Sequence, residues 1–142
     1  MPRIISGQYK GLHLKAPKGE HTRPTSDKVK ESLFSIIQTI IPDARVLDIF
    51  AGNGGVGIEA LSRGAASCIF IEKNAQCARI IKDNLILTGL SERGEVLNKD
   101  ALSVMSALRK RGDVFDLIFL DPPYFRAELR EVLLAIAHHQ LL

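Results

Sequence analysis

The sequence predicts an α/β fold, a mostly parallel sheet with helices on both faces behind a short N-terminal β-hairpin. Three observations carry that expectation. Strand-like and helix-like patterns alternate from residue 45 to residue 141, an order that calls for parallel strands and right-handed crossovers. A glycine turn, Gly52-Asn53-Gly54-Gly55-Val56-Gly57, separates an apolar strand from a helix start. An apolar run, Phe115 to Leu120, meets Asp121 and then Pro122-Pro123, two residues with no N–H to offer a ladder.

Each element follows from local pattern. Residues 4–7 and 12–16 alternate apolar with polar around Tyr9-Lys10-Gly11, as a hairpin does. Residues 18–23 read as a loop. A helix starts near Ser26, groups Val29, Leu33, Ile36, Ile37 and Ile40 on one face, and is ended by Pro42. Strands are expected at residues 45–50, 68–71, 95–98 and 115–120. Helices are expected at residues 56–63, 74–88, 101–110 and 127–141. Gly64, Gly89 and Gly112 stop the first three of these.

Composition bounds the class. The chain has 142 residues, suiting one domain, and 46% of them are hydrophobic, enough for a core. No apolar stretch approaches the ~20 residues of a membrane-spanning helix, and Met1-Pro2-Arg3-Ile4-Ile5 carries no signal-peptide apolar region. The expected location is therefore cytoplasmic. Cys68 and Cys77 lack metal-ligand spacing and read as reduced, half-buried thiols. His13, His21, His138 and His139 form no ligand constellation, so no metal is expected.

Charge is uneven. Residues 1–30 carry seven Lys or Arg against Glu20 and Asp27, a net +5, while the rest carries twelve against fourteen, a net −2. Arg3, Lys10, Lys15, Lys18, Arg23, Lys28 and Lys30 suit contacts to a phosphate backbone. A solvated face that keeps the chain soluble is the competing reading.

The glycine turn lets a ligand approach the backbone closely, and helix N–H groups beyond it favour electron-rich groups. Gly52, Gly54 and Gly57 also fit the dinucleotide pattern, with Glu72 about twenty residues on. Asp48 argues against a pyrophosphate, since it places like charge in the strand tail; the ammonium of a methionine-type ligand would meet opposite charge there. Asp121-Pro122-Pro123-Tyr124 argues the same way. An exocyclic amine needs acceptors, which the Asp121 carboxylate and Pro122 carbonyl supply, and Tyr124 offers a stacking face worth roughly 1–3 kcal/mol per base in nucleic-acid complexes.

These motifs resemble the class I S-adenosylmethionine-dependent methyltransferases, and more narrowly the RsmD-type family that methylates a guanine amino group (N2) of bacterial 16S ribosomal RNA. The resemblance begins at Arg3-Ile4-Ile5-Ser6-Gly7-Gln8-Tyr9-Lys10-Gly11, continues through Arg23-Pro24-Thr25 and Lys30-Glu31-Ser32-Leu33-Phe34, and includes Asp48-Ile49-Phe50-Ala51-Gly52. Ala60-Leu61-Ser62-Arg63-Gly64-Ala65 and Phe119 to Tyr124 complete it. The N-terminal stretch distinguishes this family from other methyltransferases.

The resemblance implies a Rossmann-like class I methyltransferase fold in which the first and fourth strands are neighbours, with residues 1–24 a basic hairpin extension and 25–142 the methyltransferase domain. It implies that Asp48, Phe50, Gly52 and Gly54 shape the pocket for the methionine part of S-adenosylmethionine; Asn53 is counted with these cofactor-binding residues, and by itself reads as serving the turn. Glu72 would accept the ribose hydroxyls, flanked by Lys73, and Asp100-Ala101 would meet the adenine. Asp121, Pro122, Pro123 and Tyr124 would form the target-amine site, and Arg3, Lys10, Lys15, Lys18 and Arg23 the RNA contacts. The implied partner is 16S ribosomal RNA or the assembling small subunit.

Other readings remain. Asp48 would also cap the loop by accepting backbone N–H groups, and Glu72 and Asp100 would also serve as turn residues. Thr25 reads as a helix cap, and Arg23 as an RNA, cofactor or ion-pair residue. A DNA adenine-amine or protein glutamine-amide methyltransferase uses a similar tetrapeptide. An NAD-binding dehydrogenase and a non-catalytic RNA-binding remnant belong to other classes. The family normally continues past the helix that follows Tyr124 with further strands. Their apparent lack here makes the fourth strand an expected sheet edge, open to association with a partner.

Overall fold

A computed structural model describes residues 3–16, 27–121 and 126–142. Its elements are α1 (Asp27–Ile37), β1 (Arg45–Ile49), α2 (Gly55–Ser62), β2 (Ser67–Ile71), α3 (Ala75–Thr88), β3 (Gly94–Leu97), α4 (Ala101–Lys110), β4 (Leu117–Leu120) and α5 (Arg126–His138). Glycine and polar residues set the ends where they were expected. Asn74 caps α3 by accepting the Cys77 N–H, and Gly89 closes that helix in the left-handed region at φ 72°.

The four strands lie in the order β3-β2-β1-β4, and every pairing is parallel. Leu97, Ile71, Ile49 and Leu120 form one row across the sheet. One residue beyond that row stand Asn98, Glu72, Phe50 and Asp121. Four chain segments thereby deliver their next side chains to a single edge.

Strand side chains alternate between the two faces. Val46, Cys68 and Phe70 join Phe34, Ile58, Leu61 and Ile81 in one core cluster, which also takes in Ile4 and Leu14. Leu47, Ile49, Ile69 and Ile71 pack against Val104, Met105, Leu108, Val132 and Ile136 on the other face. So α1, α2 and α3 cover one side, while α4 and α5 cover the other. Burying one such Leu or Ile contributes about 1.5–3 kcal/mol. The apolar strand β4 is the edge of this sheet among the described residues, and its side chains are half-buried.

Three expectations change. The hairpin reduces to one antiparallel bridge, Arg3 with His13. Gly7 and Gly11 take positive φ, and much of this arm's hydrogen bonding goes elsewhere. Gln8 N–H donates to the Ser62 carbonyl, and Tyr9 N–H to the Ser62 hydroxyl. The second change concerns α1. Leu33 and Ile37 pack against the core as expected, but Val29, Ile36 (80%) and, past the end of the helix, Ile40 are exposed, and the most deeply buried residues of α1 are Lys30 and Phe34. Phe34 packs against Phe119 of β4, with ring centroids 5.7 Å apart, and beneath the Arg63 guanidinium. Third, α5 ends at His138, before the expected residue 141; Gln140 turns into positive φ, and the Leu141 carbonyl accepts the Phe115 N–H.

Lys30 is buried because its counter-charge is buried too. Its ammonium lies 3.6 Å from the Glu59 carboxylate and donates to the Arg3 carbonyl at 2.5 Å. Glu59, 0% exposed, also accepts Ile5 N–H at 2.8 Å, Ser6 N–H at 3.0 Å and the Arg63 Nε at 2.8 Å. One carboxylate thus ties the N-terminal arm and α1 to α2. Lys30 is therefore removed from the phosphate-facing cations that composition suggested.

Candidate active site

The site is built where β1 ends. Asp48 is buried on the face covered by α2 and accepts the Gly57 N–H at 3.1 Å. Next comes Phe50 at φ 62°, a costly conformation for a bulky residue and one that clusters at functional turns. Gly52 (φ 60°) and Gly54 (φ 81°) complete the turn into α2. Gly57 is needed for a different reason. A Cβ there would sit 2.3 Å from Phe70 Cε2 and 2.8 Å from Cys68 Sγ, so only glycine lets α2 lie this close to β2.

Asn53 serves the turn, as expected: its Oδ1 accepts the Gly55 N–H at 3.0 Å. Glu72 faces the same turn. One of its oxygens accepts the Gly52 N–H at 2.8 Å and the other the Asn74 N–H at 2.8 Å. Lys73 is exposed, and its carbonyl and that of Glu72 both accept from the Asn98 amide. Asp100 stands at the N-cap position of α4 without a side-chain cap bond, so its carboxylate is not spent on the helix. Ala101, the first residue of that helix, is buried.

Asp121 follows β4 and is exposed. The register Asp48↔Phe119 and Ile49↔Leu120 puts it beside the β1 tail, close enough for its charge to be felt by Asp48. Pro122, Pro123 and Tyr124 lie outside the described residues. The Asp48 carboxyl is pushed up to about 7, chiefly by burial, with Glu72 and Asp121 adding repulsion and the Gly57 N–H opposing the rise. Three acidic residues thus stand near the ends of β1, β2 and β4, near enough for Glu72 and Asp121 to bear on Asp48. The Cys68 thiol beneath them is also raised, by burial and then by Asp48. Both cysteines are free and more deeply buried than expected.

The cations assigned to RNA are spread over the arm. Arg3 is exposed and paired with Asp27 at 2.7 Å. Lys15 is exposed and lies 3.5 Å from Asp83. Lys10 and Lys28 are also exposed, while Lys18 and Arg23 lie outside the described residues. Among the described residues, no three His, Cys, Asp or Glu side chains gather as metal ligands, and no helix is long and apolar enough to cross a membrane.

Sequence reasoning missed the polar residues that hold this site from behind. Asn98 fixes the Glu72-Lys73 turn, Glu59 anchors the arm, and Asn84 joins arm and loop. Asn84 sits among the apolar residues of α3, and its placement on the buried face was the one available signal.

Comparison with known proteins agrees with this geometry. A family model described as Conserved hypothetical protein 95 matches residues 2–142. The chain is 46% identical over 140 residues to the Bacillus subtilis (strain 168) protein provisionally named rRNA methyltransferase YlbH, covering 99% of this chain and 76% of that one. It is 40% identical over 131 residues to Ribosomal RNA small subunit methyltransferase D of Escherichia coli (strain K12), covering 92% of this chain. It spans 64% of that relative's length, just under two thirds. The solved structure of the Escherichia coli protein provisionally named methyltransferase yhhF shares the fold with a TM-score of 0.85 at 34% identity, over 96% of this chain and 72% of that one. A match of this extent places the chain in the Conserved hypothetical protein 95 family, that of the RsmD-type methyltransferases.

Proposed function

We propose that this chain is an S-adenosylmethionine-dependent methyltransferase acting on the exocyclic N2 amine of a guanine in small-subunit (16S) ribosomal RNA, in the cytoplasm. The observation that carries the reading is the β1/β4 register, which sets the glycine turn and Asp121 side by side at one sheet edge. The relatives named for ribosomal RNA methylation point to the substrate class.

The residues present fit the methyl donor. Asp48, with Glu72 beyond it, suits a ligand that is cationic at both sulfonium and ammonium. Glu72 sets one oxygen on the Gly52 N–H and the other on the Asn74 N–H, each with a lone pair left for a ribose hydroxyl. The uncommitted carboxylate of Asp100, with Ala101, would line the adenine. When bound, the donor supplies an activated methyl group on sulfur, so no covalent enzyme intermediate is required. The chain's own task is orientation. Asp121, with the Pro122 carbonyl, would accept the two amine hydrogens, Tyr124 would stack on the base, and Pro123 would hold the turn. Asp121 also offsets the positive charge that develops on nitrogen during transfer.

Two measurements test this reading. Calorimetry with S-adenosylhomocysteine should show one site per chain; no binding ends the proposal. Radiolabelled methyl transfer, compared across immature small ribosomal subunits, duplex DNA and protein glutamine, should label the subunits. Label in either alternative would move the target while keeping the chemistry. Binding without any label would leave an RNA-binding remnant.

Asp48 makes the binding pH-dependent in a definite direction. Its folded pKa, about 7, exceeds the ~4 of an unfolded aspartate. Its contribution to the ligand-free fold is therefore full below about pH 4 and is lost as pH rises toward 7. A cationic ligand favours the carboxylate and reverses the preference. S-adenosylhomocysteine affinity should thus weaken as pH falls below 7, approaching about tenfold per unit for one coupled proton. Asp48→Asn should flatten that profile. A flat profile in the unaltered protein would take Asp48 away from the ammonium.

A further inference from the structure

We propose that Asn84 is a positioning residue that links the glycine turn to the basic N-terminal arm, so that a ligand in the cleft orders the arm for RNA. The inference rests on the functional reading above for the identity of the two ligands. Its physical basis is a side-chain amide joined to both segments.

Asn84 is 0% exposed. Its Oδ1 accepts the Lys15 N–H at 2.7 Å, and its Nδ2 donates back to the Lys15 carbonyl at 3.0 Å. The amide thus pairs with the arm backbone as a neighbouring strand would. The remaining Nδ2 hydrogen goes to the Asn53 carbonyl, inside the glycine turn, at 3.1 Å. Asn53 completes the joint by pointing its own amide at the Lys15 carbonyl at 3.5 Å. Both amide hydrogens of Asn84 are consumed, one on the arm and one on the turn.

The position is poorly explained by core packing. Ile81, Leu85 and Thr88 on the same helix are buried beside it, and an apolar residue there would avoid the cost of desolvating an amide. The amide confers a directional bond between two segments that carry different proposed ligands. Lys15 precedes Lys18 and Arg23 by three and eight residues in sequence. A ligand that fixes the turn fixes the Asn53 carbonyl, and with it the amide that holds Lys15. Linkage makes the effect reciprocal: RNA on the arm must favour the same turn conformation by the same factor.

Hydrogen exchange on the full chain, with and without S-adenosylhomocysteine, tests the link. In the unaltered protein, amides of the turn (residues 51–57) and of the arm (residues 4–15) should both slow. The arm effect should be about fivefold or more, and affinity for a 16S ribosomal RNA fragment should rise by a similar factor. In Asn84→Ala the turn should still be protected, while the arm and the RNA affinity no longer respond. Because Asn84→Ala risks the fold, a surface pair supplies the same comparison. Lys15→Pro deletes the N–H that Asn84 accepts and leaves only the carbonyl half of the pairing, whereas Lys15→Ala keeps both, so the proline variant should show the weaker arm response of the two. A protected turn with an unresponsive arm in the unaltered protein overturns the link alone, as does an arm response surviving in Asn84→Ala or equal in Lys15→Pro and Lys15→Ala. A turn left unprotected overturns the cofactor reading and the link together.

Discussion

Asp121→Ala is expected to lower kcat for methyl transfer by about 10²–10³-fold, while S-adenosylhomocysteine affinity at neutral pH changes by no more than about threefold. The split follows from position. Asp121 stands past the end of β4, exposed, where an incoming amine would meet it. The turn that would hold the methionine part belongs to β1 and α2. Removing the Asp121 charge also relieves Asp48 of one repulsive neighbour, so the Asp48 carboxyl should titrate lower and the cofactor should bind no worse at mildly acidic pH. Asp121→Asn separates the two roles. It keeps one acceptor oxygen but adds an N–H₂ that opposes the amine and removes the charge, so turnover should stay well below that of the unaltered protein. Single-turnover methyl transfer beside calorimetry reads both quantities. A large loss of S-adenosylhomocysteine affinity would place Asp121 on the cofactor side of the cleft.

Glu59→Ala is the substitution expected to hurt stability most, by about 3–5 kcal/mol. Lys30, 1% exposed, would lose its carboxylate partner in a place where burial already pushes its ammonium pKa down. The N–H groups of Ile5 and Ser6 would lose their acceptors, and Arg63 its ion pair. Lys30→Met should cost much less, because Glu59 keeps Arg63 and both N–H donors. Urea denaturation should show the midpoint falling sharply for the first variant and modestly for the second. Equal losses would mean that the ammonium, not the carboxylate, organises this corner.

The contrast between these two corners explains what could be read in the sequence. Alternating elements, the glycine turn and the strand ending at Asp121 are written in contiguous residues, and their periods and stops are local properties. The adjacency of the first and fourth strands followed from family resemblance and is matched by the β1/β4 pairing. Lys30 and Glu59 are twenty-nine residues apart, and a hydrophobicity count assigns both to solvent. That is why α1 was expected to bury Val29, Ile36 and Ile40 along with Leu33 and Ile37, whereas only the latter two pack inward and the buried face contains a lysine. Asn84 and Lys15 are separated by sixty-nine residues, and nothing in either neighbourhood signals the other. The hairpin is shorter than expected for a related reason: several of its backbone groups bond to α2, a partner invisible to a pattern confined to residues 4–16.

Glu72 has a consequence for how a ligand would enter. With one oxygen on the Gly52 amide and the other on the Asn74 amide, its rotamer is settled before any hydroxyl arrives. The conformational search that an incoming nucleoside would otherwise impose on a flexible glutamate is already complete. Shortening it to aspartate would therefore set free the loop it restrains and, on the proposed function, withdraw the ribose acceptor as well.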